Sequence, residues 1–350
     1  MLSFLNKESN NFSIFFFLNS NLKNFRYYLF SSTLNILCLA YIIFFIFLLC
    51  SCSNIMLFIL LLEWNGLLVI FLIYSDNEVS IGDSIFIYFI VNSIVFLLIM
   101  WGFLFCCENL IVLGMLLKLG FFPFLWWFPY ISDSLSYFSF FVLSLVQKLF
   151  PLLFIYWHCY VNLKGVMFFV ILNVVLSILN LMFNQNNIKL FIAWSSNINY
   201  SWMVIMFLQW WEYGLTYYLL YSISVIMLLL SLGNNNLYWD QLASSNVKSN
   251  ITILLILASF SGFPPFIGFF YKIMFFGAFN FNPDRHSNEL SMYFIWFILT
   301  LLFIWNSFIY INVLFKLNLN KNLDLSMESL NLQYAILLSF LFLGFYLIFS

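Results

Sequence analysis

The chain has 350 residues, of which 65% are hydrophobic and 7% charged, with mean hydropathy +1.03 and formal net charge -1. That excess of apolar surface excludes a water-soluble domain, and the balanced charge offers nothing to nucleic acid, so an integral membrane protein is expected. The apolar runs are continuous rather than alternating in period two, which favours helices, whose backbones satisfy themselves in lipid, over a barrel.

The 49 phenylalanines, with abundant Ile and Asn, fit an A+T-rich coding genome and hint at an organelle. Cys38, Cys50, Cys52, Cys106, Cys107 and Cys159 show neither Cys-x-x-Cys nor zinc-type spacing and read as small apolar fillers. His158 and His286, at a helix end and in a polar loop, are unsuited to paired haem ligation. No metal, redox centre or other cofactor is expected in this chain.

In chain order, residues 1–32 mix Asn, Ser and Lys with a phenylalanine cluster too short to cross a bilayer, and read as an extension on the membrane surface. Apolar runs long enough to span a core about 30 Å thick then follow at 33–50, 54–74, 84–105, 109–128, 134–157, 164–183, 188–208, 213–232, 250–279, 290–315 and 332–349. The expected fold is an all-α polytopic membrane protein of about eleven transmembrane helices. Lys7, Lys23, Arg26, Lys189, Lys248, Lys316 and Lys321 fall on one side, Lys164 and Arg285 on the other. This bias puts the N-terminus on the matrix or cytoplasmic side and the C-terminus opposite. Trp126, Trp127, Trp157, Trp210, Trp211 and Trp239 fall near helix ends as an aromatic belt would, whereas Trp64 and Trp101 are expected between helices.

Two spans are interrupted, the fourth by Gly120 and Pro123, the ninth by Gly262, Pro264, Pro265 and Gly268. Counted in fives, each break falls on the fourth member of its group. An odd-numbered group must be followed by an inverted one. The expected arrangement is therefore two inverted five-helix repeats, 33–157 and 164–315, each with a broken fourth helix, plus a C-terminal helix at 332–349. Broken helices in matching positions mark an ion route at mid-membrane.

Four ionisable groups lie deep in these spans: Glu63, Lys118, Lys148 and Lys272. At roughly 2.5 to 3.5 kcal/mol each, leaving all four unpaired would cost about 10 to 14 kcal/mol, comparable to a whole domain's stability. They must be paired, hydrated or both. Glu63, the only deep acid, is expected to pair with Lys118, where attraction across about 7 Å favours the charged amine by about 2.4 kcal/mol while desolvation opposes it. Such balance suits a proton relay. Lys148 and Lys272 are candidate onward carriers. Against this stands the plainer reading, in which lysines snorkel and a lone ion pair holds helices in register. Asp133, Lys189, Glu212 and Asp240, by contrast, read as a solvated face, and Ser195 to Tyr200 as a polar segment bridging helices or ordering water.

The ordered phrases Glu63-Trp-Asn, Lys118-Leu-Gly-Phe-Phe-Pro-Phe124 with Trp127 and Pro129, Gln147-Lys148 with Pro151, Ala193 to Met203, and Ser261 to Lys272 together resemble the antiporter-like membrane subunits of respiratory complex I. The resemblance implies a proton-translocating subunit without cofactors of its own, in the inner mitochondrial membrane. It implies Glu63 and Lys118 as the ion pair, with Lys148 and Lys272 continuing the relay. It further implies NADH, flavin, iron-sulfur clusters and ubiquinone in partner subunits, with another antiporter-like subunit and small core membrane subunits as neighbours alongside lipid. An eleven-helix count suits a shorter member of that family. Two departures stand out: Leu125 and Asn199 occupy positions where the family often carries histidine. The rival readings are a free-standing cation/proton antiporter, which should show an acidic cation site, and a non-pumping structural subunit.

Overall fold

The computed structural model describes residues 35–52, 54–75, 81–158, 163–232, 247–262, 266–280 and 289–319. The expected surface extension and the eleventh span lie outside these residues, as do Pro264, Pro265, Asp240, Cys159 and His286.

The described chain is all-helical. It runs through α1 (Asn35–Ser51), α2 (Ile55–Tyr74), α3 (Ile81–Leu104), α4 (Glu108–Leu119), α5 (Trp127–Ser134) and α6 (Tyr137–Phe141). A wider π turn at Val142–Val146 leads from α6 into α7 (Gln147–His158). There follow α8 (Leu163–Phe183), α9 (Ile188–Gln209), α10 (Trp211–Leu232), α11 (Val247–Ser261), α12 (Ile267–Asn280) and α13 (Glu289–Leu319). Among the described residues six helical spans are long and apolar enough to cross a membrane.

The surface of this bundle is apolar outside as well as inside. Phe47, Met56, Phe71, Phe86, Phe183 and Leu230 all point outward and are largely exposed. In water such a surface would aggregate; in lipid it is the solvated face, and a multi-pass membrane protein follows. On α2 the buried stripe Phe58, Ile59, Leu62, Asn65, Gly66 and Val69 recurs at three- and four-residue spacing, while Leu57, Leu60, Trp64, Leu67 and Phe71 face out. Trp64 and Trp101 are thus outward-facing rather than packed between helices, because each falls on its helix's outer stripe. Cys106 and Cys107 also depart from the filler reading: they are exposed in the turn between α3 and α4, where Cys106 takes φ 52, whereas Cys38 is buried.

The helix that positions everything else is α9. From Phe191 to Phe207 every residue is buried, so no face of the helix looks outward. It packs against α5, α7, α8, α10 and α12. The polar segment Ser195 to Ser201 therefore lies at the centre of the bundle. Its side chains reach four neighbours: Tyr200 Oη donates to the Ser144 carbonyl in the π turn at 2.5 Å, Asn197 Oδ1 accepts from Lys148 on α7 at 3.0 Å, Asn199 Oδ1 accepts from Tyr217 on α10 at 3.1 Å, and Asn173 of α8 donates to Ser201 at 2.7 Å. The serines at 195 and 196 instead bond back to carbonyls of their own helix, Ile192 and Ala193.

Candidate functional site

The first interruption begins at Gly120, where a left-handed φ of 86° ends α4. The Gly120 N–H reaches the Leu117 carbonyl and the Phe121 N–H the Leu116 carbonyl, both at 3.0 Å, the paired bonds of a Schellman stop. Residues 120–126, which include the cis Phe122-Pro123 bond, lie outside α-helix before α5 restarts at Trp127. Trp127 Nε1 turns back across the gap to the Leu117 carbonyl at 3.1 Å. The second interruption repeats this pattern. Gly262, φ 82°, donates to the Ser259 carbonyl at 3.0 Å, and α12 restarts at Ile267. The interruptions expected at Gly120 and Gly262 thus divide 109–128 and 250–279, over the described residues, into two pairs of half-helices.

Lys118 sits in the last turn of α4, where unsatisfied carbonyls favour a cation, and is only 7% exposed. Its amine makes no hydrogen bond among the described residues, and the Phe150 ring centroid is 6.0 Å away. It lines a cavity of about 10 Å³ with Asn92, Gln147, Tyr88 and Trp127, room for one water. Gln147 closes that cavity through a reciprocal amide pair with Asn65, at 3.1 and 3.4 Å, that ties α7 to α2. Glu63 lies at the margin of the α2 buried stripe and is half-buried. Its carboxylate makes no hydrogen bond to the Lys118 amine, while Asn65 on the same helix bonds Gln147 of α7.

Lys148, 1% exposed, is the most enclosed of the three amines. Its Nζ donates to Asn197 and lies 3.5 Å from the Phe128 ring centroid and 4.4 Å from that of Tyr200. Two ring faces and one amide oxygen thus replace the carboxylate a buried cation would otherwise need. A Cβ on Gly120 would stand 3.5 Å from Asn197 Oδ1, so the first helix break and the Lys148 acceptor adjoin. Lys272, 4% exposed, reaches back across the second break to the carbonyls of Phe260 and Ser261, at 3.0 and 2.8 Å. It caps the exposed carbonyl end of α11 and sits 4.3 Å from the Phe303 ring centroid.

Lys189 overturns its assignment to a solvated face. It is 4% exposed and donates to the Leu135 carbonyl at 2.6 Å and the Asp133 carbonyl at 3.5 Å, closing the C-terminal end of α5 as Lys272 closes α11. The residue is the second of α9 and lies opposite a helix end that only the tertiary fold supplies. Asp133 and Glu212 are exposed as expected. Asn65, Asn92 and Asn173 escaped the sequence reading, although an amide inside an apolar helix was a signal that could have found them.

Gly262 should not tolerate a side chain. A Cβ there would lie 2.5 Å from Lys272 Nζ and 2.6 Å from its Cδ, and a left-handed φ costs a non-glycine residue about 1–2 kcal/mol. Gly262→Ala is expected to lower the thermal midpoint of the assembled protein and to push the Lys272 amine off its two carbonyls, checked by a thermal scan and a structure of the variant.

Among the described residues no group of three or more His, Cys, Asp or Glu side chains is placed to hold a metal. No protein-family profile matches the chain. Curated relatives do: it is 33% identical over 169 residues to NADH-ubiquinone oxidoreductase chain 2 of Anopheles gambiae and 28% identical over 221 residues to that of Aedes aegypti. These matches cover 47% and 61% of this chain and span 49% and 62% of the two relatives' lengths. In three dimensions the chain superimposes on a chain of respiratory complex I from Thermus thermophilus with TM-score 0.66 at 17% identity, covering 86% of this chain and 75% of that one. A chain of the Mrp complex from Dietzia sp. gives TM-score 0.62 at 14% identity, with coverage of 74% and 55%. The chain is thus similar in sequence to the NADH-ubiquinone oxidoreductase chain 2 proteins over about half of their length and shares a fold with chains of respiratory complex I and the Mrp complex.

Proposed function

We propose that this chain is a membrane-arm subunit of a complex I-type NADH:ubiquinone reductase in the inner mitochondrial membrane, and that it passes protons through Glu63, Lys118, Lys148 and Lys272. The observation that carries the reading is three amines buried in one bundle, each beside an interrupted helix and none hydrogen-bonded to a carboxylate among the described residues. Lys118 precedes the first break, Lys148 bonds the Asn197 that adjoins it, and Lys272 bonds the carbonyls of the second. Amines in such sites are expensive to keep charged, which suits groups that take up and release protons in turn.

The matching glycine caps at Gly120 and Gly262, with their equivalent N–H bonds to the carbonyl three residues before, support a repeat of 33–157 by 164–315 in inverted orientation, with 332–349 as an added helix. In this reading the N-terminus faces the matrix. The outward apolar faces contact lipid, a neighbouring antiporter-like subunit and small core membrane subunits. NADH, flavin, iron-sulfur clusters and ubiquinone belong to partner subunits, so the driving force arrives from electron transfer elsewhere in the assembly. A free-standing cation antiporter is disfavoured because no carboxylate among the described residues is fully buried to form a cation site.

Replacing Lys118 by Met should leave the complex assembled and NADH-to-quinone electron transfer intact in uncoupled membranes. Loss of a proton-transfer group of this kind slows its step by about 10² to 10⁴, so protons moved per NADH should fall in sealed vesicles. An unchanged ratio would replace this reading with a scaffold role.

A further inference from the structure

Between Lys148 and Lys272 the bundle core is lined by tyrosines. The Tyr200 ring that faces Lys148 packs on Tyr221, centroids 5.8 Å apart, and Tyr221 packs on Phe260 at 6.0 Å. Phe260 stacks on Tyr310 at 6.1 Å, and its carbonyl accepts from Lys272. A second pair, Tyr217 and Tyr271, lies with centroids 4.6 Å apart, and Tyr271 is the sequence neighbour of Lys272. All of these rings are buried, and they come from α9, α10, α11, α12 and α13.

Packing explains the rings but not their oxygens. The hydroxyls of Tyr221, Tyr271 and Tyr310 are buried without a well-formed hydrogen bond, although Tyr221 faces Asn199 and Ser196, and Tyr310 faces Ser195. Asn306, one turn before Tyr310 on the same face of α13, adds a buried amide oxygen in the same condition. Native interiors satisfy nearly all such groups, and phenylalanine would fill the same space at no polar cost. Four buried oxygens from three helices that lack a well-formed hydrogen bond, gathered in one core, mark a site that takes ordered water.

We propose that the hydroxyls of Tyr221, Tyr271 and Tyr310, with Asn199 and Asn306 as positioning groups, hold water that links Lys148 to Lys272 as a proton path. This deepens the proposed function and rests on it. Each hydroxyl accepts a proton on a lone pair while donating its own O–H proton onward, so no tyrosinate forms and every relay atom ends with as many protons as it began. The Lys148 ammonium becomes an amine and the Lys272 amine an ammonium. Asn199 cannot take up a proton itself; it orients Tyr217 through the 3.1 Å bond and leaves transfer to the hydroxyls.

The test is the triple variant Tyr221→Phe, Tyr271→Phe, Tyr310→Phe in the assembled complex, beside Lys148→Met. The path predicts normal assembly, normal electron transfer in uncoupled membranes, and protons per NADH lowered to the Lys148→Met value. Wild-type pumping by the triple variant, with Lys148→Met impaired, overturns the tyrosine path and leaves the relay standing. Wild-type pumping by both overturns the relay as well. Should the triple variant fail to assemble, Tyr271→Phe alone and a high-resolution map of the native complex decide. Water within hydrogen-bond distance of at least two of the three hydroxyls is expected, and a dry site overturns the proposal.

Discussion

Lys148→Met and Lys148→Arg are both expected to abolish proton flow through this subunit while leaving it folded, and the pair separates a titrating amine from a fixed charge. Methionine fills nearly the same volume and removes a buried cation, an exchange that is often neutral or stabilising by about 1–4 kcal/mol. Against that gain stand the ring contacts with Phe128 and Tyr200, worth about 2 kcal/mol when desolvated, and the Asn197 oxygen left without its donor, which costs about 1–3 kcal/mol. These nearly cancel, so the melting temperature should shift little. Arginine keeps the charge but does not give up its proton at any accessible pH, so a relay stops while an electrostatic anchor persists. Proton transfer through the subunit should slow by about 10² or more for both variants, read as fewer protons per NADH in sealed vesicles. Retained pumping in Lys148→Arg would reduce Lys148 to a structural cation.

That lysine was legible before any coordinates, since a charge inside an apolar run beside Pro151 has few innocent explanations. So were the two helix breaks, because glycine and proline act through backbone chemistry that is local in sequence. What stayed hidden is tertiary. The helix from Ile188 to Gln209 read as one span among many, yet it is the pillar of the bundle, and its burial on every face depends on five neighbours that no local pattern reveals. Lys189 looked like a loop cation until α5 presented its terminal carbonyls. Asn65 and Gln147 also stayed hidden, because an amide pair between α2 and α7 depends on the register of two helices far apart in sequence. The tyrosines disappeared into the general aromatic content, for a phenolic ring is apolar enough to sit in any membrane helix and only its neighbours reveal an unsatisfied oxygen.

Gly268→Ala is expected to be the most destabilising single-methyl substitution among the described glycines. A Cβ at Gly268 would overlap the carbonyl group of Ser259, which is backbone and cannot rotate aside as a side chain could. That same carbonyl accepts the Gly262 N–H, and the next two, from Phe260 and Ser261, hold the Lys272 amine. Forcing α11 and α12 apart would therefore loosen the cap and the lysine together. Overpacking of this kind costs about 1–3 kcal/mol, and more where backbone must yield. Gly66→Ala provides a contrast, because the atoms nearest its Cβ belong to the Asn92 side-chain amide, which can swing away. Gly82→Ala meets nothing within 4 Å and should be neutral or stabilising by about 1 kcal/mol in its helix. The expected order of thermal midpoints for the assembled complex is Gly82→Ala at or above wild type, Gly66→Ala below it, and Gly268→Ala lowest. A Gly268→Ala protein as stable as the wild type would mean that the half-helices do not cross in backbone contact, and the position assigned to Lys272 would go with that contact.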